Sequence, residues 1–225
     1  MKLLGTSSAK TIKGETLSYL TGILYLSPAS LSGAGNVCPW AGTCKDACLN
    51  SAGRGAFNSV QASRIKKTRL FFANRDVFME TLYEDCKALV RKAKRLGMLP
   101  CIRLNGTSDL AFHRLIVPSQ GKTLMECFSS VPFYDYTKSI KKALDNAHGL
   151  HPANYYVTFS RDSAANETEC EQVLRAGGNV SVVFREAMPA VWKHRPVLNG
   201  DVTDLRFLDR RAKAGRSGFV VDVAI

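Results

Sequence analysis

The sequence predicts an α/β fold built on a mostly parallel sheet, either open or curled into a barrel. Three observations carry this prediction. Apolar runs of strand length alternate with amphipathic stretches of helix length, the connections between them are short, and polar residues gather where the predicted strands end. Alternating strands and helices with short connections are typical of parallel sheets. The chemistry of such folds lies at the carboxyl ends of the strands.

The predicted elements follow in order along the chain. The best defined helix begins after Asn74, a typical N-cap residue, and ends before Gly97. Its apolar residues recur at helical spacing, with acids near its start and bases near its end. Further helices are predicted over 55–73, 139–147 and 167–176. Strands are predicted over 22–27, 100–104, 133–137, 155–160, 180–184, 197–198 and 219–223.

Length and composition predict a single domain over residues 1–225. Hydrophobic residues make up 45% of the chain and charged residues 22%, which excludes an intrinsically disordered protein. The longest apolar stretch, residues 17–26, is interrupted by polar residues and falls short of the roughly 20 residues that span a bilayer. The N-terminus has no apolar segment of signal-peptide length. We therefore expect a cytoplasmic protein without membrane contact.

The chain is basic. It has 31 Lys and Arg against 19 Asp and Glu, a formal net charge of +12. Such an excess favours polyanionic partners, so nucleic acid or a nucleotide is the expected partner. The alternative is that the basic side chains are only solvent-exposed groups on helix faces and loops, without a partner. They form three clusters, at residues 64–69, 91–95 and 210–216.

Three of the seven cysteines, Cys38, Cys44 and Cys48, fall in one glycine-rich loop before the first long helix. Thiolates are strong ligands for zinc and for iron–sulfur clusters. Three ligands suit a four-iron, four-sulfur cluster with one open iron, whereas structural zinc takes four. The zinc alternative therefore needs a distant fourth ligand, and the third alternative is three buried core thiols. The candidate fourth ligands are Cys101, Cys127, Cys170 and His113.

This cysteine loop directly after the first strand resembles that of the radical S-adenosylmethionine superfamily. The spacing here is C-x5-C-x3-C, whereas that superfamily usually has C-x3-C-x2-C. The resemblance implies a partial βα barrel of TIM-like kind. It also implies a four-iron cluster on the three cysteines, S-adenosylmethionine at the open iron, and radical chemistry on a nucleotide or nucleic acid.

A polar turn follows the second predicted strand, at the place where that superfamily holds the amino group of S-adenosylmethionine. Its acceptor side chains surround a glycine that allows close approach, which suits a ligand's ammonium or hydroxyl groups. The alternative is an ordinary βα turn in which an acid caps the next helix. The candidate cofactor-binding residues are Asn105, Gly106, Thr107, Asp109 and Ser160, with Asp201 as a further candidate.

Four motifs resemble those of a family of small phage proteins called gene product eighty-eight, which has no assigned function. They are the loop over 38–55, RLNGTSD over 103–109, TFS over 158–160 and GD-x-TD-x-RFLD over 200–209. The resemblance spans nearly the whole chain and implies a phage protein in the host cytoplasm. It leaves one alternative function open, a zinc- or cluster-stabilised protein that binds nucleic acid or a host protein without catalysis.

Overall fold

The computed structural model describes residues 1–7, 14–45, 48, 50, 53–163, 166–184, 187–209 and 218–222. The strands are β1 (Leu4–Gly5), β2 (Tyr19–Leu24), β3 (Leu99–Arg103), β4 (Ile116–Val117), β5 (Lys122–Thr123), β6 (Phe133–Thr137), β7 (Tyr155–Ser160), β8 (Asn179–Val182), β9 (Val191–Trp192), β10 (Arg195–Asn199) and β11 (Val220–Asp222). The α-helices are α1 (Asn58–Ala73), α2 (Arg75–Arg95), α3 (Leu124–Cys127), α4 (Ile140–Ala147) and α5 (Glu167–Arg175).

Nine of these strands form one sheet in the order β1-β2-β3-β6-β7-β8-β11-β10-β9. Every neighbouring pair from β2 to β10 is parallel, and only the edge strands β1 and β9 pair antiparallel. The predicted α/β class and mostly parallel sheet are therefore confirmed. Within the described strands, β1 and β9 do not pair with each other, so no closed barrel is found.

The helices pack against one face of the sheet. Alternate residues of β7 show which face this is, since Tyr155 and Val157 contribute to the apolar core under α1 and α2, and Phe159 to the core under α4 and α5. As predicted, α2 begins directly after Asn74, the N-cap residue, whose side chain accepts a hydrogen bond from the backbone N–H of Val77. No helix in the described part of the chain has the length and apolarity of a bilayer-spanning segment.

The opposite face of the sheet carries Tyr19, Tyr134, Tyr136 and Tyr156, and we call it the tyrosine face. The segment 203–209 covers part of it, with Phe207 packed against Tyr19, Tyr134 and Tyr156. The buried carboxylate of Asp204 approaches Arg103, Tyr134 and Tyr136 of this face. The sheet is thus covered by helices on one side and, in part, by this segment on the other.

The boundaries of the first strand differ from the prediction. The strand was expected over residues 22–27, but β2 begins at Tyr19 and ends at Leu24. Its parallel ladder with β3 starts at Tyr19, whereas the N–H of Ser27 donates to the side chain of Thr68 in α1. The first helix begins at Asn58, because residues 53–56 form a separate 3-10 turn. The limits of β2 are therefore set by its pairing with β3 and by the contact of Ser27 with α1, rather than by local apolarity.

Candidate functional site

The carboxyl ends of the parallel strands meet at one edge of the sheet, and the cysteine loop lies there. The loop leaves β2 and contacts the turn that follows β3. The N–H of Asp109 donates to the carbonyl of Val37 at 2.8 Å, and the thiol of Cys38 donates to the carbonyl of Thr107 at 3.4 Å. The structure therefore brings the predicted metal ligands beside the predicted cofactor-binding turn.

The three loop thiols are close enough for their charges to influence one another. Burial raises the pKa of Cys38 to about 11; the charges of Cys48, Asp109 and Cys44 raise it too, while a backbone hydrogen bond from Ala29 opposes them. Cys44 is exposed and Cys38 and Cys48 are half-buried, so the alternative that all three are buried core thiols is wrong.

The loop thiols do not surround a single point. Among the described residues, no group of three or more His, Cys, Asp and Glu side chains is arranged to hold one metal ion. The proposed fourth zinc ligands have other surroundings: Cys101 lies 3.2 Å from the hydroxyl of Thr21, and the ring of His113 lies 4.2 Å from that of His151. Cys127 ends α3, and Cys170 is buried in α5. This arrangement offers no four-ligand zinc site in the described part of the chain.

Two further strands deliver charged side chains to the loop. Lys138 directly follows β6, and its ammonium lies 3.6 Å from a carboxylate oxygen of Asp162 and 3.4 Å from the hydroxyl of Ser160. Partial desolvation of the Cys44 thiol raises its pKa. The positive charge of Lys138 lowers this pKa, whereas the negative charges of Cys48 and Asp162 raise it further. Lys138 was not among the predicted site residues, although its position directly after a strand of the parallel sheet was a usable signal.

Gly42 is the point of closest approach between the loop and Asp162. Its φ is +47°, and a Cβ there would collide with the Asp162 carboxylate. The positive φ is the reason that glycine is favoured at this position. The loop is held against the end of β7 at this residue.

A buried cation lies on the other side of the loop. Arg64 of α1 donates to the side chain of Asn50, and its guanidinium carbon lies 5.1 Å from the ring centroid of Tyr25. Burial lowers the pKa of Arg64, whereas the charges of Tyr25 and Cys48 raise it. Among the described residues, its Nε has no hydrogen-bond partner although it is buried. Arg64 was assigned only to a basic cluster by the sequence, because nothing local marks its contact with the loop.

Asn105 organises the turn after β3. Its side-chain oxygen accepts hydrogen bonds from the hydroxyl of Ser108 and the N–H of Leu110, both at 2.8 Å. Its amide donates to the carboxylate of Asp135 and to the carbonyl of Leu110. The side-chain amide and carbonyl of Asn105 thus form hydrogen bonds within the protein. The role of Asn105 in holding a ligand stays a prediction.

Gly106, Thr107 and Asp109 tie the neighbouring strands to this turn. The N–H of Gly106 donates to the carbonyl of Leu24 at 3.0 Å, and the hydroxyl of Thr107 donates to the carbonyl of Leu26. Asp109 accepts hydrogen bonds from the Thr137 hydroxyl, the Lys138 N–H and the Lys142 ammonium. The alternative that Asp109 caps a helix is wrong, since the next helical turn, Phe112–Arg114, has no side-chain cap.

The remaining candidates are Ser160 and Asp201. Ser160 ends β7 and contacts Lys138 through its hydroxyl and its carbonyl, both at 3.4 Å. Asp201 is exposed in the turn after β10, where its N–H donates to the side chain of Asn199. Ser160 therefore lies with Lys138 near the cysteine loop, whereas the contacts of Asp201 place it in its own turn.

The chain was compared with known families, curated proteins and solved structures. A family model described as Gene product 88 matches residues 2–222. No curated protein and no solved structure matches the chain significantly. The match covers all four motifs singled out in the sequence.

Proposed function

We propose that this chain, which belongs to the gene product 88 family of phage proteins, binds a four-iron, four-sulfur cluster through Cys38, Cys44 and Cys48. One observation supports the proposal: the cysteine loop reaches the carboxyl edge of the parallel sheet, where Cys38 contacts the turn after β3 and lies within electrostatic reach of Cys44 and Cys48. In parallel α/β folds this edge is where cofactors and substrates bind.

The donor set fits a cluster better than a single ion. Three cysteines supply three of the four irons of such a cluster with a thiolate and leave one iron open, whereas structural zinc takes four protein ligands. Thiolates and sulfides bring negative charge, and two cations lie beside the loop to offset it. One is Lys138, whose charge interacts with the Cys44 thiol, and the other is the buried Arg64, whose charge interacts with the Cys48 thiol.

The finer architecture is also part of the proposal. From β2 to β8 the main-sheet strands are adjacent in chain order, and the segment 203–209 is buried against the tyrosine face through Leu205 and Phe207. A sheet that curves around such a segment is a partial βα barrel. The cysteine loop would then lie at its mouth.

The same site suits S-adenosylmethionine as a second ligand. A four-iron cluster with one iron free of protein ligands supplies a coordination position and one electron for reductive cleavage. The chain's own residues bind the ligand's charges: Lys138 a carboxylate and Asp162 an ammonium. Lys138 and Asp162 lie 3.6 Å apart in the structure, so a ligand bound beside them meets one charge of each sign. A nucleotide or nucleic acid stays the proposed substrate class, on the strength of the net charge of +12, and the host cytoplasm stays the proposed location.

Anaerobic reconstitution with iron and sulfide tests the cluster. Wild-type protein is expected to develop a broad visible absorption that bleaches on reduction, and Cys38→Ala and Cys44→Ala to lose it. Cys127→Ala is the matched control, because this thiol ends α3 and is expected to leave the absorption unchanged. Equal absorption in all four proteins would contradict the ligand assignment.

The second ligand is tested separately on the reconstituted protein. S-adenosylmethionine is expected to bind and, under reduction, to be cleaved; Lys138→Gln, compared with wild type at equal iron content, should bind it more weakly. A reconstituted cluster that neither binds nor cleaves S-adenosylmethionine would refute the radical chemistry and leave the cluster itself in place.

A further inference from the structure

Charge is strongly segregated along α2. Its first eleven residues contain the four acids Asp76, Glu80, Glu84 and Asp85, and its last ten contain no acid and five cations. The cations are Lys87, Arg91, Lys92, Lys94 and Arg95. The helix dipole favours cations in the last turn only, so it does not account for Arg91.

Most of these cations have no partner within the described part of the chain. Lys87 pairs with Glu84 at 2.9 Å, and Asp85 accepts hydrogen bonds from the N–H groups of Leu3 and Leu4. No ion pair or side-chain hydrogen bond reaches Arg91, Lys92, Lys94 or Arg95 among the described residues. The acids of α2 nearest to them are therefore already committed elsewhere.

Three of the unpaired cations share one side of the helix. Arg91, Lys92 and Arg95 lie with Ala88 along one side of α2, where they line a shallow, open surface depression, and we call these three cations the basic face. Arg91 and Arg95 are four residues apart and therefore about 6 Å apart along the helix axis. The packing of α2 against the core fixes this helix, because its apolar side contributes Leu82, Cys86, Leu89 and Ala93 to the core.

We propose that the basic face binds the phosphate backbone of duplex DNA without reading its sequence. Phosphate contacts by Arg and Lys supply affinity but carry no sequence information. The depression is lined only by cations and an alanine, so it presents no aromatic ring that stacks single-stranded bases, and its guanidinium and ammonium groups are usual partners of phosphate oxygens.

An anionic membrane fits this face less well. A helix that lies in a membrane interface inserts its apolar side between the lipids. The apolar side of α2 is buried in the core, where Leu82 and Ala93 are fully covered. Beside the basic face, only Leu96 and Leu99 among the described residues 91–103 are exposed large apolar side chains, which is less than the continuous apolar side that an interfacial helix inserts.

This surface is separate from the cysteine site. The end of α2 leads into the amino end of β3 at Leu99, whereas the cysteine loop lies at the opposite, carboxyl edge of the parallel sheet. The inference goes beyond the proposed cluster and does not depend on it. Cys44→Ala, which is expected to lose iron, is expected to bind duplex DNA as wild type does.

The test is a titration of full-length protein with a labelled DNA duplex of about two helical turns, ~20 bp, across a salt series. For wild type, the logarithm of the affinity should fall linearly with that of the salt concentration. The double variant Arg91→Gln/Arg95→Gln should reduce this slope by about 1.8, at 0.9 per lost phosphate contact. The loss of affinity between about 50 and 200 mM salt then becomes about twelvefold smaller.

The matched control removes the same charge elsewhere. Lys141 and Arg175 are exposed and pair with Asp145 and Glu171, so Lys141→Gln/Arg175→Gln should leave the slope unchanged. A thermal melt checks that both double variants remain folded. Equal slopes for the two double variants, absence of binding, preference for a single strand, or binding to anionic vesicles in place of the duplex would each overturn the proposal.

Discussion

The guanidinium of Arg103 in β3 lies 2.8 Å from the carboxylate of Asp204, 101 residues further along the chain. Only 6% of the Arg103 side chain and 9% of the Asp204 side chain are exposed. Although burial opposes it, the charge of Asp204 raises the pKa of Arg103 above its usual value, and Arg103 therefore stays protonated. This buried pair joins the segment 203–209 to the tyrosine face.

We predict that Asp204→Asn destabilises the protein by about 3–5 kcal/mol, because it leaves the buried Arg103 without a compensating charge. The free energy of unfolding, measured by urea titration, checks this. The double variant Arg103→Met/Asp204→Leu should recover part of the loss, since it removes both charges but leaves the hydroxyls of Tyr134 and Tyr136 without the Asp204 acceptor. A loss below about 1 kcal/mol in the single variant would show that the pair does not hold the segment.

Gly106→Ala should weaken the link between β2 and β3. A Cβ at Gly106 would lie 2.7 Å from the ring of Tyr25 and 2.8 Å from Ile23 and the Leu24 carbonyl, and overpacking of this kind costs about 1–3 kcal/mol. Gly5→Ala is the control, because its nearest neighbour would be 3.7 Å away. If urea unfolding of the two variants gives the same stability, the contact between the turn and β2 is not as tight as described.

Acid should destabilise the protein through His113. Burial and, after it, the charges of His151, Lys142 and Arg114 lower the pKa of His113 to about 3, while Asp145 opposes them. The folded-state pKa is below the unfolded value of about 6.5, so the folded protein binds fewer protons. The stabilisation is present above pH 6.5 and is lost as the pH falls from about 6.5 toward 3.

The variant His113→Phe is therefore expected to flatten the dependence of stability on pH over this range, as thermal melts at several pH values will show. His148, which is exposed, provides the control variant His148→Gln. A pH dependence that His113→Phe leaves unaltered would mean that His113 is not held neutral by its surroundings.

Local pattern predicted the elements that pack through their own side chains. The strands over 133–137 and 155–160 have the predicted limits, and Asn74 caps α2 as expected. The two-residue strand β1 was missed, because it exists only through its pairing with Ile23 and Leu24 of β2. The β4–β5 hairpin and the edge strand β9 were also missed. Each strand has two residues, which is too short to show the alternation of apolar and polar residues that indicates a strand.

The candidate site was predictable only in part. The spacing of three cysteines placed them in one loop, and the position of Ser160 at a strand end indicated its place at the edge. The contacts of Arg64 with the loop and of Arg103 with Asp204 link residues far apart in sequence, so no local pattern reveals them. The side chain of Asp135 in β6 is buried and accepts hydrogen bonds from the backbone N–H and the side-chain amide of Asn105, a contact that no local pattern indicates.

Stability measurements should separate the cysteine loop from the core. Cys44 is exposed, so Cys44→Ala without metal should leave the melting temperature nearly unchanged. Cys86 is fully buried among the core residues, and Cys86→Ser should lower it, because burying a hydroxyl without a hydrogen bond costs about 1–3 kcal/mol. A large loss in Cys44→Ala would indicate that the loop thiol supports the fold itself.

The most direct test of the cluster proposal is the iron, sulfide and zinc content of wild-type protein after strictly anaerobic purification. The account predicts iron and acid-labile sulfide in equal amounts, approaching four of each per chain, with little zinc. Zinc at one per chain without iron would contradict it, and so would protein that holds neither metal and fails to take up iron and sulfide on reconstitution.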